Sequence, residues 1–263
     1  MRARLLPLAL LALGTTACLD TLQAPQGRLG TITAAAYENG GSYVLDPEAA
    51  FYDKTDLAYV PATTDTCILA PYSLQSTVNG NLITMNAGDL LFTNVGGRID
   101  TLAPIAGINI RVYTAVRPFG IPYIPGDTLT VTVPGSAGGF PASAISIRTA
   151  EAFIHDSIGV PAVNQPLPLA WTPAPQGGSQ MTFALRYANQ FSAGALNEQI
   201  FCSFVDDGSA SIAAGYLDGW RTALSNVRQT RAVRIRSREV TLDSRTRLSI
   251  ISSFGQPTLT LNP

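Results

Sequence analysis

The sequence predicts an all-β protein of antiparallel β-sandwich architecture, drawn as two packed sandwich modules with one or two short helices. Three observations lead there. Short runs with strict alternation of apolar and polar residues recur along the chain, which requires strands with one buried and one solvated face. Turn-forming residues punctuate those runs, with 23 Gly and 18 Pro among 263 residues. Only 13% of residues are charged against 46% hydrophobic, so the chain has enough apolar matter for a core and is not of the disordered class.

Taken in chain order, Asn39-Gly40-Gly41 reads as a turn. "DPEAAFYD" (Asp46 to Asp53) reads as a short helix, with Asp46 as N-cap and Pro47 in the first helical position. "VNGN" (Val78 to Asn81) reads as a tight hairpin turn. "GINIRVYTAV" (Gly107 to Val116) and "TLTVTV" (Thr128 to Val133) alternate as strands, the second closing on Pro134-Gly135. The Pro-rich stretch from Asp156 to Pro168 shows no alternation and suggests a boundary. Beyond it, "MTFALRY" places Met181, Phe183, Leu185 and Tyr187 on one strand face, and "QIFCSFV" does the same for Ile200, Cys202 and Phe204. "AAGYLDGWRTALSN" (Ala213 to Asn226) spaces Tyr216, Leu217, Trp220 and Leu224 onto one helical face. "RAVRIRSREVTL" and "RLSIIS" form a hairpin turning near Asp243-Ser244. The modules are expected at 29–155 and 156–263, with one larger sandwich and a long crossover as the alternative.

The first residues carry an address. Arg2 and Arg4 precede an apolar run from Leu5 to Leu13, followed by the small residues Gly14 to Ala17. The run is too short to span a bilayer, which takes about 20 residues, and suits an export signal over 1–17. Thr16, Ala17 and Cys18 resemble the lipobox of bacterial lipoproteins, where cleavage falls just before a cysteine that carries lipid on its sulfur. Thr15 departs from the aliphatic residue usual in that family, and ordinary signal cleavage with Cys18 as a bystander is the other reading. The resemblance implies a lipidated tether over 18–28 and anchorage in the bacterial cell envelope. In Gram-negative members of that family Asp after the cysteine favours inner-membrane retention, so with Leu19 there the resemblance implies the outer membrane in an organism that has one.

Loss of residues 1–17 leaves 15 basic against 18 acidic residues, a formal charge of −3, and no global basic excess to suggest nucleic acid. Lipid on Cys18 would leave Cys67 and Cys202, for which an oxidising compartment favours a disulfide over two buried thiols. "PLPLAWTPAPQGGSQMTFALRY" and "EQIFCSFVDDGSASIAAGYLDGW" are similar to a pattern in bacterial lipoproteins with immunoglobulin-like or related β-sandwich domains. Trp171, Cys202, Asp206, Asp207 and Gly208 carry the similarity. Cys67 lies 104 residues before Trp171, so the immunoglobulin disulfide framework is missing.

Chemistry-bearing motifs are few. His155 is the one histidine, which excludes a multi-histidine zinc site, and it reads as a surface or boundary-loop residue. No Gly-x-Ser-x-Gly elbow is present. Asp206 and Asp207 offer oxygens for calcium, but the Asp-x-Asp-x-Asp-Gly loop pattern is missing, a simple turn is the favoured reading, and no metal or cofactor is expected. Glu38, Asp46, Glu48 and Glu151 are the acids open to a glycosidase. Arg234, Arg236 and Arg238 share one strand face, read as a solvated face paired with acids or as a contact for an anionic glycan or headgroup. Tyr113, Phe119 and Tyr123 are candidates for stacking on sugar rings, or else pack over a sheet edge. The expected role is therefore non-catalytic: binding or envelope structure, with the membrane, an envelope protein or a glycan as partner. A carbohydrate-binding module is the alternative, and an enzyme the least favoured class.

Overall fold

The computed structural model describes residues 26–56, 65–72, 83–94, 96–97, 99–106, 111–114, 121–189, 196–223, 228–255 and 259–260. Cys18, the export signal, Phe119 and the Val78 to Asn81 turn lie outside them. The strands are β1 (Gln26–Asn39), β2 (Ser42–Asp56), β3 (Thr66–Pro71), β4 (Ile83–Thr84), β5 (Leu90–Thr93), β6 (Ile99–Leu102), β7 (Pro104–Ala106), β8 (Arg111–Thr114) and β9 (Ile121–Pro122). They continue as β10 (Thr128–Val133), β11 (Ser143–Arg148), β12 (Leu167–Ala170), β13 (Gln180–Tyr187), β14 (Glu198–Val205), β15 (Ser209–Ile212), β16 (Arg228–Asp243), β17 (Thr246–Gly255) and β18 (Leu259–Thr260). A 3-10 turn (Ala214–Tyr216) and helix α1 (Asp218–Thr222) interrupt them. The architecture is all-β and sandwich-like.

One long sheet runs in the order β3-β14-β13-β16-β17-β1-β2-β8-β7, with β18 on β16 and β4 and β9 on β2. A second sheet has the order β11-β10-β5-β6, and β12 pairs with β15 as a ribbon. The long sheet thus draws strands from both sides of the boundary expected at residue 156. Its ladders are antiparallel except where β1 lies parallel to β17. The buried side chains of both halves form one continuous core cluster.

Local chemistry explains the main features. Gly40 and Gly41 link β1 to β2 with φ of 58° and 82°, the positive values that a two-residue hairpin turn requires. At Gly30 an added Cβ would lie 2.8 Å from Leu248 and 2.9 Å from both Phe140 and Phe51, so the side chains of the neighbouring strands and of the β10–β11 loop close over β1 where only glycine leaves room. The rings of Phe51 and Phe140 meet across that gap at 4.7 Å. Trp171, just after β12, packs on Phe183 of β13 at 5.4 Å.

Three expectations change. The helix expected at Asp46 to Asp53 is the middle of β2. Pro47 is tolerated because, among the described residues, β9 pairs with Val44 and Leu45 and β8 with residues 48–50; Pro47 falls between the two and owes no donor on that side. Of the helix expected over Ala213 to Asn226, the described residues, which end at Ala223, hold only the 3-10 turn and the five residues of α1, with Leu217 and Trp220 buried. The last residues of the expected tether, 26–28, already belong to β1.

Cys67 and Cys202 form a disulfide between directly opposed residues of β3 and β14. It ties residues 135 positions apart, which by loop-closure entropy stabilises by about 5 kcal/mol.

Candidate functional site

Burial of arginine is the feature that organises the molecule. Arg234 and Arg236 share a face of β16, as alternation predicts, but that face points inward: Arg234 is 0% exposed and Arg236 6%. The expectation of a solvated arginine face is therefore corrected for these two. An unpaired charge could not be buried there, and carboxylates meet both. Arg234 grips Asp206 with two bonds, Nε to Oδ2 at 2.7 Å and Nη2 to Oδ1 at 3.1 Å. Its Nη1 donates to the carbonyls of Glu151 (3.2 Å) and Ala152 (3.1 Å), and Nη2 also donates to the carbonyl of Thr172. All five N–H groups of the guanidinium are thus engaged.

Asp206 is equally saturated. Trp171 Nε1 donates to Oδ1 at 2.8 Å and Ser179 Oγ to Oδ2 at 2.6 Å. Burial pushes the Asp206 carboxyl up, but the bonds from Arg234, Ser179 and Trp171 and the Arg234 charge outweigh it and hold the group below its ordinary value. Arg236 repeats the pattern on Glu151, with Nε to Oε2 at 3.0 Å and Nη2 to Oε1 at 2.9 Å, and donates further to the carbonyls of Gln176 and Gly177. Arg148 adds a bond to Glu151 Oε1 at 3.2 Å. Two arginines from one strand so tie down the 148–153 segment, the 172–179 turn and the end of β14. Arg238, two residues on, is exposed and donates to the carbonyl of Ser146.

The aromatic candidates also turn inward. Tyr113 is 0% exposed and its hydroxyl accepts from the Ala87 N–H at 2.8 Å. Tyr123 is 6% exposed and donates to the Ala150 carbonyl at 2.6 Å; burial pushes its hydroxyl up to about 12. Neither ring can stack on a ligand from solvent, because both fill the core between strands. The calcium candidate is corrected as well. Both oxygens of Asp206 are taken, while Asp207 accepts from the Ser209 N–H in a turn. No cluster of three or more His, Cys, Asp or Glu suited to a metal occurs among the described residues. His155 bonds through Nδ1 with the Asp156 carbonyl oxygen and packs on Phe183.

An open cleft of about 570 Å³ lies where the β1–β2 hairpin tip overhangs the 152–154 segment and the end of β17. Glu38 and Tyr43 face each other across the hairpin and line it together with Phe153, Ile154, Thr172 and Phe254. Tyr43 is 37% exposed and its ring meets Phe254 edge-on at 5.3 Å. The sequence pointed to different aromatics, since only the pairing of Glu38 with Tyr43 and the return of β17 bring these residues together. The cue present in the sequence was the pair of tyrosines flanking the Gly40-Gly41 turn.

The fold and the arginine network define an all-β sandwich-type protein whose strongest charge clusters are turned inward. No protein-family profile matches the chain, and no curated protein matches it. Among solved structures it is similar to a DUF4785-family protein from Legionella pneumophila, at 7% identity over 77% of this chain and 51% of that chain, with a TM-score of 0.28. This chain thus spans about half the length of that protein. It is also similar to a segment of two fibronectin type-III domains from chicken tenascin, at 9% identity over 83% of this chain and 93% of that chain, with a TM-score of 0.19. Neither likeness carries a functional statement.

Proposed function

We propose that the protein is an exported, lipid-anchored component of the bacterial cell envelope with a non-catalytic binding or structural role. The observation that supports this best is the Cys67–Cys202 disulfide. Such a bond suits an oxidising compartment. It also uses two of the three cysteines, which leaves Cys18, just behind the export signal, as the one thiol available for lipid. The placement of two of the acids fits a non-catalytic role. Glu151, one of the four acids open to a glycosidase, is committed to Arg236, and among the described residues the cleft at the hairpin tip is lined by one carboxylate, that of Glu38.

Mass spectrometry of the mature protein tests the anchor. The expected result is a chain beginning at Cys18 and heavier by its acyl groups, released from the membrane fraction by Cys18→Ser. An unmodified Cys18, or a mature chain starting elsewhere, overturns it.

A further inference from the structure

We infer that the cleft under the β1–β2 hairpin is a binding site for a neutral oligosaccharide, presented at the end of the body that points away from the membrane. The orientation rests on the lipid-anchored reading; the site does not.

The lining is chemically mixed. Tyr43 is 37% exposed and brings an aromatic ring to the cleft, and Ile154, 74% exposed, lines it too. Glu38 and Thr172 bring a carboxylate and a hydroxyl to the same cleft, and no hydrogen bond within the described residues engages either side chain. An apolar platform edged by acceptors suits a sugar ring, which has an apolar face and hydroxyls around its rim. Two other occupants fit less well. A purely apolar ligand would leave the Glu38 carboxylate desolvated without a partner. An organic cation would seek the aromatic faces, but the guanidinium of Arg234 already lies 5.2 Å from the centre of the Phe153 ring and repels a second cation there. The cleft volume of about 570 Å³ falls within the roughly 300–1,000 Å³ of small-ligand sites.

The placement follows from β1. Its first residue, Gln26, is eight residues from Cys18, a stretch that spans at most about 28 Å. From Gln26 the strand runs 14 residues to Asn39, about 43 Å at the rise of an extended chain. The hairpin tip with Glu38 and Tyr43 is therefore at the opposite end of β1 from the tether.

The test uses the purified full chain on an array of neutral and acidic oligosaccharides, followed by calorimetry with the best soluble neutral ligand. Tyr43→Ala is expected to weaken binding about tenfold or more, from loss of the stacked ring, and Glu38→Gln to weaken it less. Tyr37→Ala is the control: Tyr37 is 42% exposed on the opposite face of the same hairpin and should leave affinity unchanged. A thermal melt verifies that each variant is folded. Absence of binding to any neutral glycan overturns the site, as does an equal loss in folded Tyr43→Ala and Tyr37→Ala. The intact mass of the same preparation reports the anchor separately, so failure of either reading is recognisable.

Discussion

Arg234 and Arg236 lie on the face of β16 that points into the protein, whereas Val233 and Ile235, on the other face, are only half-buried. Polarity alone assigns the two faces the other way round. The difference teaches that alternation decides which side chains share a face and that their partners decide which face is inside. A guanidinium can be buried when a carboxylate and several carbonyls are already arranged around it, and Asp206 and Glu151 supply those carboxylates from elements remote in sequence. Once so paired, the arginines specify how the connecting segments dock, because each N–H demands its acceptor in place.

The sharpest way to break this contrast is to remove one partner. Asp206→Ala leaves a fully buried Arg234 uncompensated and should destabilise by about 3–5 kcal/mol, seen as a lower denaturation midpoint at unchanged slope. The paired replacement Arg234→Met with Asp206→Leu should recover part of that loss by removing the buried charge, while the carbonyls of Glu151, Ala152 and Thr172 and the donors of Trp171 and Ser179 lose their partners. A double variant as unstable as Asp206→Ala would show that the acceptors around Arg234 matter more than its charge.

Next in size is the disulfide. Among the described residues β3 sits at the edge of the long sheet, with Ile68 and Leu69 both 56% exposed, so little apolar burial holds it to β14. Cys67→Ser should lower stability by about 2–5 kcal/mol and speed hydrogen exchange in β3 before β13. Uniform loss of protection in both strands would contradict the edge argument. Glu151→Gln should destabilise by about 1–3 kcal/mol, less than Asp206→Ala, because the introduced amide oxygen can still accept from Arg236, which is itself slightly more exposed than Arg234.

Acid titration separates the charge of Asp206 from its packing. Its folded carboxyl is held below the ordinary 3.8. The stabilisation is therefore fully present above that value and is lost as pH falls below it and through the depressed folded value. Asp206→Asn should flatten the acid limb of the stability curve, and an unchanged limb would assign acid sensitivity to other carboxylates. The smallest effect is expected at Arg238→Ala, within about 0.5 kcal/mol, because that side chain is exposed.

Much of the strand layout was legible. "TLTVTV" is β10 residue for residue, and the turn near Asp243-Ser244 joins β16 to β17. The expected sets Met181, Phe183, Leu185, Tyr187 and Ile200, Cys202, Phe204 are all buried, but Thr182, Ala184 and Ser203 on the other faces are buried as well, so neither strand keeps the strict alternation that one solvated face would give. The helix expected at Asp46 failed because Pro47 after an Asp is an N-terminal helix signal only where no sheet claims the segment. Here Ala49 and Phe51 are drawn into the core by pairing with β1. The sites were less legible. Tyr113 and Tyr123 stand among Pro and Gly residues that suggest an exposed loop, yet each is buried with its hydroxyl satisfied by a backbone group that the sequence does not place nearby.

What the sequence determined by itself was local: the period of each strand, the turns where glycine supplies positive φ, and which residues travel together on a face. It also carries the motif on which the export and lipid reading stands. What only the tertiary structure decided was the sense of those faces and the pairing across distance. Trp171, Ser179 and Arg234 converge on Asp206, and Glu38 and Tyr43 meet Phe153, Ile154 and Phe254 at a cleft. Alternation has no sign, and burial of a charge depends on acceptors brought in by other strands, so neither could be read from one segment alone.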